Sequence, residues 1–307
     1  MSASRALVPG DALRDDQRRG LAALFGDAVR FDEPLAPRTS MRVGGPAAAL
    51  VNICDVGSLI ALLDFCQSQG VVWTILGLGS NVLVHDEGFA GIVIRLGGSF
   101  TAIAITGTIM HAGGAAPIAA VCRQAAQYGL RGAEPLVGVP GTVGGAIRMN
   151  AGTNVEIGDL VRRVEVVSAG KDVRAVTLPE FSYRSSTLAR DAVVCAADLE
   201  LQRGDPVEVR RELRRRIQER NASQPLELPN SGSIFRNPAG DHAARLIESA
   251  GCKGWHCGGA EVSPKHANFI VNRGGATCAD VLELIERVRA AVKRDSGIEL
   301  ETEVHVL

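Results

Sequence analysis

The stretch GLGSNV (77–82) follows the β-branched segment VVWTIL (71–76) and opens with the pattern GxG. A Rossmann dinucleotide-binding fingerprint would need a third glycine three positions after the second, followed by a helix. Position 82 is Val, and VLVHDEGFAGIVIRL (82–96) continues as strand, loop and strand. The sequence therefore excludes a Rossmann motif here. It predicts a strand, a glycine turn and a strand, whose main-chain amides could bind an anion without a helix dipole.

A second glycine-rich stretch, GVPGTVGGAIRMNAG (138–152), lacks the GK[ST] ending of a P-loop. Its glycines at 141, 144 and 145 would allow positive φ angles and close backbone approach, as a diphosphate bound through main-chain amides requires. A tight structural turn is the alternative interpretation. Two such segments favour one extended, phosphate-bearing ligand over two unrelated turns.

Hydrophobic periodicity and glycine or proline punctuation predict the surrounding elements. Helices are expected at 56–70, 117–129, 207–220, 242–250 and 278–295. Strands are expected at 71–76, 91–96, 101–106, 164–168, 173–177, 192–201 and 268–272. The pattern of the sequence changes at RGDP near residue 205, where strand-like segments give way to a charged helical segment. We therefore predict a weakly structured or helical appendage at 1–30, a first domain at 31–205 and a second domain at 206–307.

The composition is that of a globular protein: of 307 residues, 46% are hydrophobic and 22% charged, with a net charge of -1. No general affinity for nucleic acid is implied. The basic cluster at 210–216 alternates with glutamates, which favours a solvated helix face over a nucleic-acid site. The seven cysteines are scattered without a CxxC pair, so we expect buried thiols in a reducing cytoplasm and no metal site.

No membrane segment is predicted. Charged residues interrupt every apolar run of the N-terminal 20 residues, so no signal peptide is visible. The uncharged segment at 96–122 is divided by glycines and a proline into pieces too short to span a bilayer. We expect a soluble cytoplasmic protein that is a monomer or a weak oligomer.

Ser233 lies in NSGSIFRNP (230–238), where three roles are open. The flanking residues match neither GxSxG nor SxxK, which argues against a nucleophile. The Asn-Ser-Gly-Ser run is turn-forming, so a purely structural turn is plausible. A proton donor is the third possibility, and the residues alone do not separate it from the turn.

Seven motifs in order carry a specific resemblance. They are TSMRVGGPA (39–47), ILGLGSNVLVHDEGFAG (75–91), GVPGTVGGAIRMNAG (138–152), YRSS (183–186), SGSIFRNP (231–238), GGAEVSPKHANFIVN (258–272) and LETEV (300–304). Together they resemble the UDP-N-acetylenolpyruvoylglucosamine reductase family, in the form that lacks an extra tyrosine-bearing substrate loop. The resemblance implies an α+β protein with a two-subdomain FAD-binding fold of the vanillyl-alcohol-oxidase type and a C-terminal substrate-binding domain.

The same resemblance implies an activity and a set of residues. NADPH would reduce FAD, and the flavin would reduce the enolpyruvyl ether of a nucleotide-sugar substrate in peptidoglycan precursor synthesis. The implied catalytic residues are Arg184, Ser233 as proton donor, and Glu303. The implied substrate contacts are Tyr183, Asn237, Glu261 and Lys265. The implied cofactor contacts are Gly77, Gly79, Ser80, Asn81, Val82, Pro140, Gly141, Thr142, Gly144, Gly145 and Ala146.

Four positions depart from the family pattern, namely Arg38, Thr153, Asn154 and Arg236. They bear on flavin-edge and substrate-phosphate contacts more than on the chemistry. Two other functions stay open at this point. One is a related flavin oxidase acting on another sugar or alcohol, which would not need Arg184, Ser233 and Glu303 together. The other is a non-catalytic paralogue that binds flavin or nucleotide sugar.

Overall fold

The computed structural model describes residues 13–170, 174–176 and 178–307. Within these residues the chain forms eight α-helices: α1 (Asp15–Phe25), α2 (Val56–Gln69), α3 (Ile118–Gln127), α4 (Val143–Met149), α5 (Ile157–Leu160), α6 (Pro206–Ser223), α7 (Ala243–Ser249) and α8 (Cys278–Ser296). The five helices predicted from the sequence correspond to α2, α3, α6, α7 and α8, with ends that agree within a few residues.

The same residues form nineteen strands, several of only two residues. In chain order they are β1 (Val29–Pro34), β2 (Pro46–Ile53), β3 (Trp73–Ile75), β4 (Val82–Leu83), β5 (Phe89–Leu96), β6 (Ile103–Thr106), β7 (Ile109–Gly113), β8 (Leu130–Arg131), β9 (Val161–Val167), β10 (Arg174–Val176), β11 (Phe181–Ser182), β12 (Ser185–Ser186), β13 (Val193–Glu200), β14 (Gln202–Arg203), β15 (Asn230–Ser233), β16 (His256–Cys257), β17 (Ala260–Val262), β18 (Phe269–Asn272) and β19 (His305–Val306). Residues 173 and 177 of the predicted strand at 173–177 lie outside the described residues.

The first sheet has the order β1-β2-β5-β3, with β5 parallel to both β2 and β3. Helix α2 covers it because Leu59, Leu62 and Leu63 recur at helical spacing and are fully buried. Asp55 caps the helix by accepting a hydrogen bond from the Ser58 main-chain N (2.8 Å), and Gly70 ends it with φ 63°. The strand–loop–strand prediction for 82–96 is confirmed by β4 and β5.

Helix α1 belongs to the same core. Leu21 is fully buried in it, and the Gln17 side chain donates to the Gln69 main-chain O (3.2 Å). The described part of the predicted appendage is therefore a packed helix. Its charged residues lie on the faces that do not contact α2, which is why the sequence alone left its structure open.

The second sheet, β10-β9-β13-β7-β6, is antiparallel throughout. Helices α3 and α4 pack against it, with Val121, Val143 and Ile147 fully buried. Val209 and Leu213 of α6 join this core, so α6 packs on the second sheet's side of the molecule. The predicted domain boundary at 205 stays a prediction, since α6 connects the two halves.

The second glycine-rich segment differs from the sequence prediction. Gly141 does have a positive φ (144°), but Gly144 and Gly145 lie in the first turn of α4 with ordinary helical angles. Thr142 caps this helix, accepting a hydrogen bond from the Gly145 main-chain N. The sequence reasoning failed here because glycine density indicates conformational freedom without saying where that freedom is used.

The C-terminal sheet has the order β15-β18-β17-β16 and is covered by α7 and α8. Thr277 and Asp280 form the capping box predicted for α8, with side-chain to main-chain distances of 3.0 and 2.9 Å. Met41, Val43 and Leu83 from the N-terminal half are buried in this third core. The two halves therefore share hydrophobic packing.

A short segment at 81–86 forms main-chain and side-chain hydrogen bonds with the C-terminal half. Strand β4 pairs in parallel with β19, which lies at 305–306. The carboxylate of Asp86 accepts hydrogen bonds from the first main-chain N–H groups of α8, at Cys278 (2.8 Å) and Ala279 (2.9 Å). No helix in the described residues is long and apolar enough to cross a membrane.

Asp86→Ala should lower the free energy of unfolding by about 1 kcal/mol, because it removes an anionic cap from a helix N-terminus whose first two N–H groups have no other acceptor in the described part of the chain. Urea denaturation measures the change. Glu87→Ala is the matched control, since Glu87 is exposed and adjacent. If the two variants have equal stability, the Asp86 bonds contribute nothing to joining the halves.

Candidate active site

One cleft of about 1270 Å³ lies where the two glycine segments meet the C-terminal domain. All of the predicted cofactor contacts line it: Gly77, Gly79, Ser80, Asn81, Val82, Pro140, Gly141, Thr142, Gly144, Gly145 and Ala146. Arg184, Ser233 and Glu303 line the same cleft. Its volume exceeds the range of about 300–1,000 Å³ that is usual for a single small-molecule site. The cleft is therefore large enough for a bulky cofactor together with a substrate.

The two glycine segments touch each other directly. A Cβ on Gly77 would lie 2.9 Å from Thr142 Oγ1, and the Ser80 hydroxyl donates to the Pro140 main-chain O at 2.7 Å. Gly79 has φ 62°, and a Cβ there would lie 2.5 Å from the Arg38 main-chain O. At both positions a residue larger than glycine would collide with a neighbouring segment of the same chain. The cleft wall is thus a single structure built from both motifs.

Gly145 differs from Gly77 and Gly79. A Cβ at this position would meet no protein atom closer than 3.6 Å, so only the cleft lies beside it. The main-chain N–H groups of Gly79, Ser80 and Asn81 donate to no acceptor among the described residues. Unpaired amides and an open glycine face are the features that an anionic group such as a diphosphate needs. The wall therefore fits the diphosphate of a flavin dinucleotide.

Arg184 is placed by a tight hairpin. Strands β11 and β12 are joined by the two residues Tyr183 and Arg184, and Arg184 has φ 55°. Its guanidinium stacks over the Tyr183 ring at 4.9 Å and donates from Nη2 to the Gly152 main-chain O at 3.0 Å. A positive φ in a residue other than glycine costs about 1 kcal/mol or more and concentrates at functional sites.

Two carboxylates surround the Arg184 side chain. Nε lies 2.9 Å from Glu303 Oε1, and Nη1 lies 3.5 Å from Glu156 Oε1. The buried Nε–H nevertheless makes no aligned hydrogen bond within the described residues. The contact with Glu303 is therefore a close ion pair whose N–H is not directed at the carboxylate. An anionic ligand could compete for such a guanidinium.

Glu303 is held at its backbone from both sides. Its main-chain N donates to the Ile234 O (2.8 Å), and its main-chain O accepts from Asn81 Nδ2 (3.1 Å). Burial raises the pKa of its carboxyl, although the Arg184 guanidinium opposes that rise. A carboxyl whose pKa is raised in this way is suited to hold a proton.

Ser233 ends β15, directly after Gly232, which has φ 75°. The next two residues are fixed by Asn268, whose side chain accepts from the Phe235 main-chain N (2.9 Å) and donates to the Phe235 O (2.8 Å). The Ser233 hydroxyl has no hydrogen-bond partner in the described part of the chain. A hydroxyl on a fixed backbone, lining a cleft and free of protein partners, is available to a ligand.

The predicted substrate contacts lie outside the cleft lining. Asn237 accepts a hydrogen bond from the Ala243 main-chain N at the start of α7, and its own N donates to the Tyr183 hydroxyl (3.2 Å). Glu261 pairs with Arg273 at 3.2 Å. Lys265 donates to the Asn221 main-chain O (2.7 Å). Their roles stay predictions.

One arginine in the cleft was missed from the sequence. Arg220, in the last turn of α6, lines the cleft and donates to Gln224 Oε1 at 3.0 Å. Burial without a carboxylate partner lowers its pKa. Its neighbours Arg211, Arg215 and Arg216 pair with helix glutamates, as the solvated-face interpretation predicted. The sequence offers no signal for it, since Arg210 and Arg214 also lack a glutamate at helical spacing.

Two of the four unusual positions have partners away from the reacting groups. Arg38 pairs with Glu33 at 2.5 Å, and the Thr153 hydroxyl donates to the Pro135 main-chain O at 3.3 Å. Arg236 lies 3.9 Å from Glu301, and its positive charge opposes the rise in the pKa of Glu303. No cluster of metal-binding side chains occurs among the described residues.

Glu303→Gln should increase the free energy of unfolding at pH 7. The pKa of Glu303 is higher in the folded protein than its ordinary value of 4.5, so the ionised carboxylate opposes folding at neutral pH. The gain should shrink below about pH 4.5, where both states of the parent protein are protonated. Urea denaturation at pH 7 and pH 4 measures it.

Glu301→Gln is the control, because Glu301 is 79% exposed and two positions away. A larger loss of stability in Glu303→Gln at pH 7 than at pH 4 would mean that attraction to Arg184 outweighs burial.

Two family models match the chain. Residues 47–176 match an FAD binding domain, and residues 224–307 match the C-terminal domain of UDP-N-acetylenolpyruvoylglucosamine reductase. These matches confirm the predicted fold class, an FAD-binding unit followed by a C-terminal α+β domain.

Named relatives match nearly the whole chain. The UDP-N-acetylenolpyruvoylglucosamine reductase of Heliobacterium modesticaldum is 43% identical over 90% of this chain and 89% of its own length. The protein of the same name from Anaeromyxobacter sp. is 44% identical over 97% of this chain and 94% of its own. The crystal structure of the reductase from Thermus caldophilus superposes with a TM-score of 0.79 at 35% identity, covering 91% of this chain and 97% of that one. The chain belongs to the UDP-N-acetylenolpyruvoylglucosamine reductase family.

Proposed function

We propose that this FAD-dependent oxidoreductase uses NADPH to reduce the enolpyruvyl ether of UDP-N-acetylglucosamine enolpyruvate, giving UDP-N-acetylmuramate for peptidoglycan synthesis. The observation that carries the proposal is the cleft that brings Ser233, Arg184 and Glu303 together beside both glycine segments. The names of the relatives supply the substrate class.

The glycine wall is proposed to hold the flavin dinucleotide. When bound, FAD supplies the hydride that the enolpyruvyl methylene carbon accepts. The unpaired amides at 79–81 and the open face of Gly145 would receive the diphosphate. We infer non-covalent attachment, since no cysteine among the described residues lines the cleft and its one described histidine, His305, contacts Met149.

The proton is proposed to come from the Ser233 hydroxyl. Addition of hydride at the methylene carbon places negative charge on the carbon beside the carboxylate, and a carbanion or aci-carboxylate there is basic enough to take a proton from an alcohol. The donor must be fixed close to that carbon. Support comes from Asn268, whose main-chain O accepts a hydrogen bond from the Ile234 N (2.9 Å) and whose side-chain amide bonds the Phe235 main chain.

Arg184 and Glu303 are proposed to stabilise the charge that develops on the substrate carboxylate. The guanidinium fork suits a carboxylate, and its Nε–H has no aligned protein acceptor in the described residues. Glu303, with its raised pKa, is proposed to act as a hydrogen-bonded acid beside the same group.

The nucleotide-sugar phosphates are proposed to lie on the C-terminal side of the cleft. Tyr183, Asn237, Glu261 and Lys265 remain the predicted contacts. Tyr183 and Lys265 are next to cleft-lining residues: Tyr183 adjoins Arg184, and Lys265 lies 3.8 Å from Glu227. Arg220 adds a half-buried cation with no carboxylate partner among the described residues, which suits a phosphate.

A single anaerobic experiment separates this function from the two alternatives. NADPH should reduce the bound flavin, and the enolpyruvyl nucleotide sugar should then reoxidise it. The reduced flavin of a related oxidase would stay reduced with this substrate and would be reoxidised only once oxygen was admitted. A binding paralogue would fail in one or both steps.

Ser233→Ala should leave reduction of the flavin by NADPH nearly unchanged, because that half-reaction needs no proton at the substrate carbon. Reoxidation by the enolpyruvyl substrate should slow by about 10²–10⁴-fold, the usual contribution of general acid catalysis. Anaerobic stopped-flow absorbance of the flavin measures both rates.

Ser233→Cys is the matched variant, since a thiol can donate a proton from nearly the same position, and it should retain more activity than Ser233→Ala. If Ser233→Ala is reoxidised at the parental rate, Ser233 is only a turn residue and the proton has another source.

Gly145→Val should lose flavin while keeping its fold. The added side chain meets no protein atom closer than 3.6 Å at Cβ but occupies the space proposed for the diphosphate. Flavin absorbance after gel filtration and the thermal midpoint measure the two properties. Gly57→Val is the control, because Gly57 also lies in the first turn of a helix but outside the cleft. Full flavin content in folded Gly145→Val would show that this face does not contact the cofactor.

A further inference from the structure

We propose that Asn81 is a positioning residue for Glu303, acting from inside the glycine wall; this inference rests on the function proposed above. The sequence motif GLGSNV places Asn81 among the cofactor contacts. Its side-chain amide, however, donates to the Glu303 main-chain O at 3.1 Å. The two residues are 222 positions apart in the chain.

Asn81 binds the acidic segment twice. Besides the side-chain bond, its main-chain O accepts a hydrogen bond from the His305 N at 3.1 Å, and the parallel pairing of β4 with β19 starts there. These two bonds bracket the peptide units between 303 and 305. The segment therefore cannot shift along the cleft wall without breaking both.

The opposite side of Glu303 is attached to the serine strand. Its main-chain N donates to the Ile234 O, and Ile234 follows Ser233. Glu303 thus stands between the strand that carries the proposed proton donor and the turn that lines the proposed cofactor site. Removing the Asn81 side-chain amide would break the bond to the Glu303 main-chain O and leave the bond from the Glu303 N to the Ile234 O intact.

An amide is the side chain that this position needs. The Glu303 main-chain O requires a donor, and an ionised aspartate of the same size would place a second oxygen against it. Displacement of a catalytic group by about 1 Å can lower a rate by about 10²-fold. The chemistry of Glu303 should therefore depend on Asn81 even though Asn81 need not touch the substrate.

Asn81→Ala retains the main-chain N–H proposed to face the diphosphate, so its flavin content and its rate of reduction by NADPH are measured as the readouts of the cofactor site. Reoxidation by the enolpyruvyl nucleotide sugar should slow by about 10–100-fold, with KM for that substrate changed less than about 3-fold. Asn81→Asp should be at least as slow. Asn52→Ala is the control, because Asn52 is exposed on β2 and outside the cleft.

A double-mutant cycle with Glu303→Gln separates positioning from a direct role. If Asn81 acts through Glu303, Asn81→Ala should slow reoxidation less than about 3-fold further in the Glu303→Gln background. Full additivity, or loss of flavin in Asn81→Ala, would overturn the proposal and assign Asn81 to the cofactor alone.

The rate of amide hydrogen exchange in the peptide at 301–307 tests the attachment of Glu303 to Asn81 without measuring catalysis. Exchange in flavin-free and substrate-free protein should be faster in Asn81→Ala than in the parent and unchanged in Asn52→Ala. Unchanged exchange in Asn81→Ala would overturn the positioning role even if turnover fell. If the parent is not reoxidised by the nucleotide sugar, the proposed function fails, while faster exchange would still support the attachment of Glu303 to Asn81.

Discussion

The parallel pairing of β4 with β19 is the interaction on which the cleft depends. It joins the residues directly after the first glycine turn to the last strand of the C-terminal half. The His85 main-chain N donates to the Leu307 O (2.8 Å), and the Leu307 N donates to the Leu83 O (2.8 Å), so the ladder continues past the named strands. This pairing, together with the Asn81 side-chain bond to the Glu303 main-chain O, places the Glu303 segment against the glycine wall. Met41, Val43 and Leu83 of the N-terminal half are also buried in the C-terminal core, so apolar packing stabilises the contact between the two halves as well.

Burial and charge act in opposite directions at Glu303. Desolvation favours the protonated carboxyl, while the Arg184 guanidinium 2.9 Å away favours the carboxylate. The misaligned Nε–H weakens the second effect, since an ion pair without a directed hydrogen bond gains less from its short distance. The raised pKa of Glu303 and the Arg184 Nε–H that is not directed at an acceptor among the described residues belong to the same geometry.

The sequence predicted the fold's elements and the composition of the cleft better than the detailed geometry. Apolar stripes identified α2 and α8, and the Pro and Gly signals at its two ends identified α3. The eleven predicted cofactor contacts and three predicted catalytic residues all line one cleft, while their roles stay predictions. The helical conformation of Gly144 and Gly145 was not predictable, since it is imposed by the Thr142 cap and by packing on β13. The amide bond of Asn81 to Glu303 joins residues too distant in sequence for any local pattern to indicate it.

The three proposed catalytic groups are not held in the same way. Ser233 and Glu303 stand on neighbouring segments of one domain, connected by the bonds of Glu303 N to Ile234 O and of Arg236 N to Glu301 O (2.9 Å). Arg184 instead comes from a two-residue hairpin turn of the other half, with a strained backbone and few attachments across the cleft. The contacts that reach from this turn to the C-terminal half are the Glu303 ion pair and the bond between Tyr183 and Asn237. The proposed proton donor and acid are therefore joined by main-chain bonds within one half of the molecule, while the proposed carboxylate-binding arginine belongs to the other half. The proposed reaction needs charge stabilised on the substrate carboxylate and a proton delivered to the carbon beside it. Of the two, the proton transfer needs the more exact placement of its groups, because it acts over a short distance. Main-chain bonds between the Ser233 and Glu303 segments suit that requirement.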